Sequence, residues 1–159
     1  MSTRTLHKHA IQRFNSFGDF ICMNCRNFVS SEGLLSGVHH RNHCPYCLSS
    51  RHLDLFKAGD RLSACKARMQ PVALTLKRTS KKYPRENRGE IMLVHQCEGC
   101  RKISINRIAA DDNAEILLEV FETSCSMKSL DGFLLKHDNI DLLTPKDRPI
   151  LQVQLLGRC

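Results

Sequence analysis

From Phe20 to about Ala110 the apolar residues fall in short runs separated by polar turns. The segments 71–78 (PVALTLKR), 90–97 (EIMLVHQC) and 102–109 (KISINRIA) each have the length of a strand. Short apolar runs between turns are typical of β-strands, and 102–109 also alternates apolar and polar residues. We therefore predict that the first two segments form a hairpin and that the third adds a further strand.

The last fifty residues follow a different period. The apolar residues of 111–124 (DDNAEILLEVFETS) recur at helical spacing and would share one face of an amphipathic helix: Ile116, Leu117, Val120 and Phe121. Near the end of the chain, 150–156 (ILQVQLL) alternates around two glutamines and predicts a terminal strand. We expect these elements to cover the domain's own sheet, and the alternative is that they dock on a partner.

Composition adds a reason to look for a structural metal. The chain has 159 residues, no tryptophan and few other aromatic residues, so it predicts one domain with a modest apolar core. Small cores usually need disulfides or a metal, and nine cysteines are present. Neither a secretory leader nor a membrane-crossing apolar run is evident, so we expect a cytoplasmic protein whose cysteine pairs hold metal.

Charge is distributed unevenly along the chain. Through Ala109 there are 19 lysines and arginines against 7 acidic residues, whereas from Ala110 onward there are 5 against 9. A basic body with a mildly acidic tail favours a polyanionic partner such as RNA, although such charge also serves solubility. Residues 1–19 carry three cations before their first acid, and we interpret them as a basic arm rather than a weak transit peptide.

Two Cys-x-x-Cys turns lie close together at the start of the basic body. They are CMNC at 22–25 and CPYC at 44–47, with eighteen residues between them. Each turn aims two thiolates at one point, so the pair predicts a tetrahedral structural zinc site. A redox Cys-x-x-Cys would need a thioredoxin-like βαβ context, which the pattern lacks. The predicted ligands are Cys22, Cys25, Cys44 and Cys47.

A third turn, CEGC at 97–100, predicts a second zinc site. Cys65 precedes the first long strand and is the obvious third ligand. His52, His95 and His43 compete as the fourth, and we favour His52 because it follows the first site closely and can reach back. The alternative is a three-cysteine cluster without metal. The predicted ligands are Cys65, Cys97, Cys100 and His52, and neither site has an evident open position for catalysis.

Three long stretches resemble the bacterial RNHCP-domain family. They are RNHCPYCLSSRHLD, AGDRLSACKARMQPVAL and LVHQCEGCRKISINRIAADD, in order between about Phe20 and Asp112. The resemblance places the eight predicted ligands and His95 on motif positions, and it implies a zinc-ribbon fold without an established activity. The chain departs from the pattern at Arg26 and Arg101, where knuckles often have glycine, and at Ala67, where the family motif has glycine.

The motif RNHCP itself has three competing interpretations. In the first, a polar and basic surface contacts RNA through Arg41, Asn42, His43, Arg51, Arg61, Lys81, Lys82, Arg85 and Arg88. In the second, His39, His40, Asn42 and His43 form an HNH-like nuclease site, but no convincing helix follows to carry its remaining ligands. In the third, the motif braces the zinc sites by hydrogen bonds, with Asp54 or Asp60 as partners.

Together these patterns predict a small, mostly-β, zinc-ribbon-like domain with two zinc knuckle sites. It would occupy residues 20–110, between the arm (1–19) and an α+β C-terminal extension (111–159). We expect a zinc-stabilised RNA-binding protein, not an enzyme, that belongs to the ribosome or associates with it and contacts rRNA and ribosomal proteins, with no membrane role. The alternative is a zinc-dependent adaptor or regulator that docks on another protein through its tail.

Overall fold

A computed structural model describes residues 18–77, 89–127 and 140–157, and its centre is a four-stranded antiparallel sheet. The strands are β3 (Ser50–Arg51), β4 (Arg68–Lys77), β5 (Glu90–Cys97) and β6 (Ile103–Arg107), in that spatial order. The predicted hairpin and third strand are thereby confirmed. The predicted arm, through residue 17, and the basic loop at 81–88 lie outside the described residues.

A smaller unit precedes this sheet. Strands β1 (Phe20–Ile21) and β2 (Phe28–Val29) form a two-stranded hairpin, and helix α1 (Gly33–Ser36) follows. The backbone N–H of Ala110 donates to Ser36 O at 2.8 Å, so α1 is joined to the segment that follows β6. The unit is small, and its buried apolar residues gather around a cysteine cluster.

Both faces of the sheet are covered. Five consecutive residues of β5, from Ile91 to His95, are buried, which is the pattern of a strand enclosed on both sides. One face carries the larger core, in which Leu74 and Leu93 pack against Leu117 and Phe121. The opposite face carries a smaller cluster. The chain is thus a small, mostly-β protein whose tail contributes to the main core.

The predicted amphipathic helix is present as α2 (Ala114–Ser126). The side chain of Asn113 caps it, accepting hydrogen bonds from the backbone N–H groups of Glu115 and Ile116 at 2.9 and 3.2 Å. Its buried positions include Leu117 and Phe121, as the spacing predicted. The helix packs on the sheet, which agrees with the expectation that the tail covers the domain itself.

The predicted terminal strand is wrong: the segment forms helix α3 (Arg148–Leu156), after a 3₁₀ turn at Pro145–Asp147. Thr144 and Asp147 form a reciprocal capping box ahead of it, and Gly157 ends it at φ 61°. Leu151 and Leu155 are four residues apart, so the alternation also fits one helical face, and that face packs into the main core. None of the helices in the described ranges is long and apolar enough to cross a membrane.

Candidate metal centres and an adjoining basic cavity

The first two Cys-x-x-Cys turns converge into one group of four sulfurs, called cluster 1: Cys22, Cys25, Cys44 and Cys47. Their ligand atoms all lie within 4.8 Å of one another. The Sγ atoms of Cys22 and Cys47 are 3.6 Å apart, and those of Cys25 and Cys44 are 3.5 Å apart. A tetrahedron with metal–sulfur bonds of about 2.3 Å has edges of roughly 3.8 Å, so the spacing fits a bound metal ion.

The same backbone geometry builds all three Cys-x-x-Cys turns. In each, the N–H of the first cysteine donates to the carbonyl five residues later, and the N–H of the residue after the second cysteine donates back to the first cysteine's carbonyl, at 2.8–3.1 Å. The residue after the second cysteine adopts a left-handed conformation: Arg26 at φ 64°, Leu48 at φ 57° and Arg101 at φ 64°. The departures from glycine therefore leave the turn intact, although a side chain is unfavourable there.

The third turn joins a distant cysteine and a histidine to form cluster 2: His52, Cys65, Cys97 and Cys100. Their ligand atoms also lie within 4.8 Å of one another. The Cys65 and Cys97 sulfurs are 3.6 Å apart, and Cys100 Sγ is 3.2 Å from His52 Nδ1. Of the three histidines considered as the fourth ligand, His52 is the one that lies beside the three sulfurs. A Cβ at Gly99 would lie 3.0 Å from the Ala67 Cβ and 3.2 Å from the Cys65 sulfur, so a larger residue there would require these neighbours to shift.

The two other candidate histidines are buried elsewhere. His95 Nε2 is 2.7 Å from the Leu48 carbonyl, and its Nδ1 is 2.8 Å from the side-chain amide of Asn106. Burial, with the nearby His43, lowers the pKa of His95 to about 3, so its ring is neutral and Nε2–H donates to the carbonyl. His43 Nε2 lies 2.8 Å from Asp112 Oδ2.

Local electrostatics favour the metal-binding form of some ligands and oppose it in others: burial raises the pKa of the Cys22 and Cys97 thiols. Burial opposes ionisation of the Cys47 thiol, but hydrogen bonds from Asn24 and Ser49 outweigh it and lower its pKa to about 6. Burial, with the nearby Lys102, lowers the pKa of His52, which favours the neutral imidazole that a metal requires. Burial raises the pKa of Cys44, and a bound cation would offset that effect.

Each cluster could therefore hold one metal ion. Four sulfurs, or three sulfurs and one imidazole nitrogen, are donor sets consistent with zinc, and the distances fit tetrahedral coordination. Four side-chain donors complete a tetrahedron, so neither arrangement leaves a position for a water or substrate. These are the properties of structural rather than catalytic metal sites.

The positions of Arg41 and His43 differ from the predicted exposed contact surface. The Arg41 side chain is only 1% exposed, and its guanidinium lies 2.7 Å from Asp111 Oδ2 and 3.3 Å from Asp112 Oδ1. It also donates to the carbonyls of His43 and Ser30. Because both side chains are buried and bonded to carboxylates, the prediction that they lie on an exposed contact surface is wrong.

The bracing interpretation of the motif named the wrong partners. Asp54 and Asp60 instead organise the loop between β3 and β4, where Asp60 accepts from four backbone N–H groups, those of Leu55, Phe56, Lys57 and Leu62. These hydrogen bonds, with that of Lys57 first, hold the pKa of Asp60 far below its usual range. The bracing carboxylates are Asp111 and Asp112, about seventy residues along the chain from Arg41.

Arg68 connects the two clusters. Its Nη1 donates to Asn24 Oδ1 at 2.5 Å, and Asn24 lies inside the first turn. Its Nε and Nη2 donate to the Glu98 carboxylate at 2.8 and 2.6 Å, and Glu98 lies inside the third turn. The backbone N–H of Glu98 also donates to the Arg68 carbonyl. Sequence reasoning missed this residue, because nothing local marks an arginine as a bridge.

A cavity of about 510 Å³ opens beside cluster 1. Its walls come from β1 and the first turn, the loop before Cys44, β3, and residues 61–68. Among the described residues, its lining contains no aspartate or glutamate but seven arginines, lysines and histidines: His39, His40, Arg41, Arg51, Arg61, Lys66 and Arg68.

The cavity brings together part of the predicted contact set. The cavity is lined by Arg41, Asn42, Arg51 and Arg61, whereas the predicted contacts Lys81, Lys82, Arg85 and Arg88 lie outside the described residues. Lys66 and Arg68 also line it and were not among the predicted contacts. For Lys66 the available signal was its place directly after Cys65, a predicted metal ligand.

Comparison with known proteins gives a family but no characterised relative. No curated protein and no solved structure matches the chain. The model of the RNHCP domain matches residues 17–118, which include both clusters, the cavity and the Asp111–Asp112 pair. The fold and the site thus agree with the motifs seen in the sequence, and the chain belongs to the RNHCP domain family.

Proposed function

We propose that this chain is a zinc-stabilised, zinc-ribbon-like RNA-binding protein that acts without catalysis, as a cytoplasmic component of the ribosome or a factor associated with it. One observation carries the proposal: a cavity whose described lining holds five arginine and lysine side chains and no carboxylate lies against a four-cysteine cluster that could hold a metal ion. Three of these cations, Arg41, Arg61 and Arg68, also pair with carboxylates outside the lining. Arginine and lysine side chains bind phosphates, and a metal cluster positions them without a large apolar core.

The chemistry of the cavity wall supports this proposal. Arg51 Nε donates to the Lys66 carbonyl at 2.9 Å, and Lys66 Nζ donates to the Arg61 carbonyl at 3.1 Å. These contacts anchor the Arg51 and Lys66 side chains on one wall of the cavity, which Arg61 also lines. Like charges held close together raise the local positive potential, and a polyanion lowers the energy of such an arrangement.

The two alternative functions gain less support. Docking of the tail on a partner would use its apolar faces, but Leu117, Phe121 and Leu151 are buried in the chain's own core. A nuclease of the HNH type needs a helix with metal ligands after its histidines, and the described residues 48–77 form strands and loops. RNA binding is therefore the function we propose.

The test is sedimentation of the tagged full-length chain from a cell lysate on a sucrose gradient, at low and high salt, with zinc measured in each fraction. We expect co-migration of protein and zinc with a ribosomal subunit, and persistence at high salt would indicate a resident component rather than a transient factor. Migration at the top of the gradient at both salt concentrations, with two zinc ions bound, would contradict the ribosomal assignment.

A further inference from the structure

We propose that the basic cavity receives one unpaired nucleotide of single-stranded RNA, with its phosphate beside Lys66 and its base against Ile21 and Leu53. The inference rests on the proposed RNA-binding function and adds the position and the form of the ligand. A volume of about 510 Å³ falls within the range of small-ligand pockets, which is about 300–1,000 Å³.

Lys66 is the side chain best placed to bind the phosphate. It lines the cavity, and its ammonium donates to the neutral Arg61 carbonyl. No carboxylate among the described residues lies within ion-pair distance of it, in contrast to Arg61 and Arg68. Its ammonium therefore has no carboxylate partner among the described residues and can accept a phosphate as one. Its neighbour Arg51 lines the same wall and can share the phosphate.

Arg61 supplies a second reason to expect an anion. Its side chain is largely buried, and its Nε and Nη1 have no hydrogen-bond partner among the described residues. Its nearest carboxylate, Asp54, is 3.7 Å away, beyond hydrogen-bond distance. Buried donors without acceptors cost free energy, and a phosphate entering the cavity would allow Arg61 to reorient and satisfy them.

The remaining lining fits a base rather than an inorganic anion. Phe20, Ile21 and Leu53 supply apolar surface, and the amides of Asn24 and Asn42 are polar groups beside it. Protein recognition of single-stranded RNA combines cations along the backbone with apolar or aromatic surface for each base. A cavity of mixed character is therefore suited to a nucleotide, whose phosphate and base need different surroundings.

The concave shape favours an unpaired nucleotide over a duplex. In a double helix the bases are stacked and paired, so only phosphates and groove edges are available to the protein. A base can enter a cavity only when it is free of its partner or is flipped out at an energetic cost. We therefore expect single-stranded RNA to bind more tightly than a duplex of the same length.

The experiment uses the full-length zinc-loaded chain and a fluorescein-labelled ten-nucleotide oligouridine, with binding followed by fluorescence anisotropy between 50 and 300 mM salt. A duplex RNA of ten base pairs is the second probe. Unlabelled uridine 5′-monophosphate is the third, added as a competitor, because a free nucleotide offers the same phosphate and base. Zinc content and thermal midpoint are measured for every variant.

Two variants with matched controls test the assignment. K66Q should weaken oligouridine binding about threefold to tenfold and reduce the slope of log K against log salt by about 0.7, as expected for one lost phosphate contact on a single strand. K146Q removes an exposed lysine outside the cavity and should change neither value.

I21A should weaken binding about threefold to tenfold without changing the salt slope, whereas I105A, at the same 38% exposure on β6, should not weaken it.

The possible results separate the cavity from the broader function. Oligouridine binding that is equal in K66Q and wild type, with zinc retained, overturns the cavity and leaves RNA binding standing. Duplex binding as tight as single-strand binding overturns the unpaired nucleotide. Binding of the mononucleotide alone, sensitive to K66Q, would support a nucleotide site and overturn the RNA function. Binding of none of the three probes overturns both proposals.

Discussion

A buried set of contacts accounts for two residues of the RNHCP motif. It consists of Arg41, His43 and Asp112. The Asp112 carboxylate is fully buried and accepts from the Arg41 guanidinium, from the His43 ring and from the backbone N–H of Ala109 at 2.8 Å. Because a buried carboxylate needs several donors, this set of contacts accounts for both the arginine and the histidine. Arg41 and His43 of the motif therefore join the loop before Cys44 to the segment after β6.

Asp112→Ala should lower the free energy of unfolding by about 3–5 kcal/mol, because it leaves the Arg41 guanidinium buried without its inner carboxylate. Urea unfolding of the zinc-loaded protein measures this change. Asp111→Ala is the matched control: its side chain is 39% exposed, so water can replace it, and we expect a loss of about 1 kcal/mol or less. Equal losses for the two variants would contradict the role given to burial.

The residues that the sequence analysis identified correctly are those whose role is fixed by near neighbours. Two cysteines separated by two residues can be recognised as a turn, and cysteine turns at ribbon spacing can be paired. The burial of Arg41 depends on two carboxylates that lie 70 and 71 residues further along the chain. No local pattern shows that the arginine and these carboxylates are in contact. Arginine in a basic chain therefore suggested the surface, whereas the fold buries it.

At the scale of elements, the three Cys-x-x-Cys turns share the same backbone conformation. They differ in the residue that follows the second cysteine, which adopts the strained left-handed conformation. Arg26, Leu48 and Arg101 all adopt positive φ where glycine would be relaxed. Leu48 is buried and fills the main core, which offsets its unfavourable backbone conformation. Arg26 and Arg101 are exposed, so packing offers them no such compensation.

Arg101→Gly should therefore stabilise the folded protein by about 0.5–1 kcal/mol, because it removes the left-handed strain without removing a core contact. Thermal unfolding of the zinc-loaded protein is the measurement. Lys102→Gly, at the next exposed position and without positive φ, should instead be neutral or destabilising. Destabilisation by Arg101→Gly would show that the arginine side chain contributes a contact that outweighs the strain.

The strands could be predicted because β4 and β5 are strand-length apolar runs bounded by polar turns, and because β6 alternates in burial. The prediction of a terminal strand failed because the apolar residues of ILQVQLL fit both the period of a strand and that of a helix. Its alternation resembles a strand, yet Leu151 and Leu155 also share a helical face. The deciding signals were the ends: the Thr144–Asp147 capping box before the segment and Gly157 after it.

At the scale of the whole molecule, the two clusters stand in different surroundings. Cluster 1 packs with Val29 and Phe20 and is the centre of the small N-terminal unit. Cluster 2 lies at the end of the main sheet, with Cys65 and Cys100 exposed. Cluster 1 therefore replaces an apolar core for its part of the chain, whereas the sheet beneath cluster 2 has a core of its own.

Cys44→Ser should reduce bound zinc from two ions to one and unfold the N-terminal unit, because structural zinc supplies about 10–16 kcal/mol of apparent binding free energy. Cys100→Ser should also leave one zinc ion but keep most of the β-sheet. Cys125→Ser, a cysteine in neither cluster, should keep both ions. Native mass spectrometry counts the zinc and circular dichroism follows the sheet. Two zinc ions retained by Cys44→Ser would contradict cluster 1 as a metal site.

The contact between Arg41 and Asp111 also bears on the order of folding. It joins residues 70 positions apart, whereas β4, β5 and β6, which lie between them in sequence, pair through shorter connections. Closure of a long loop loses more chain entropy, so the buried ionic contacts should form after the sheet. Contacts absent from the transition state affect the unfolding rate rather than the folding rate. The motif would then determine how long the folded chain persists, with little effect on how fast it forms.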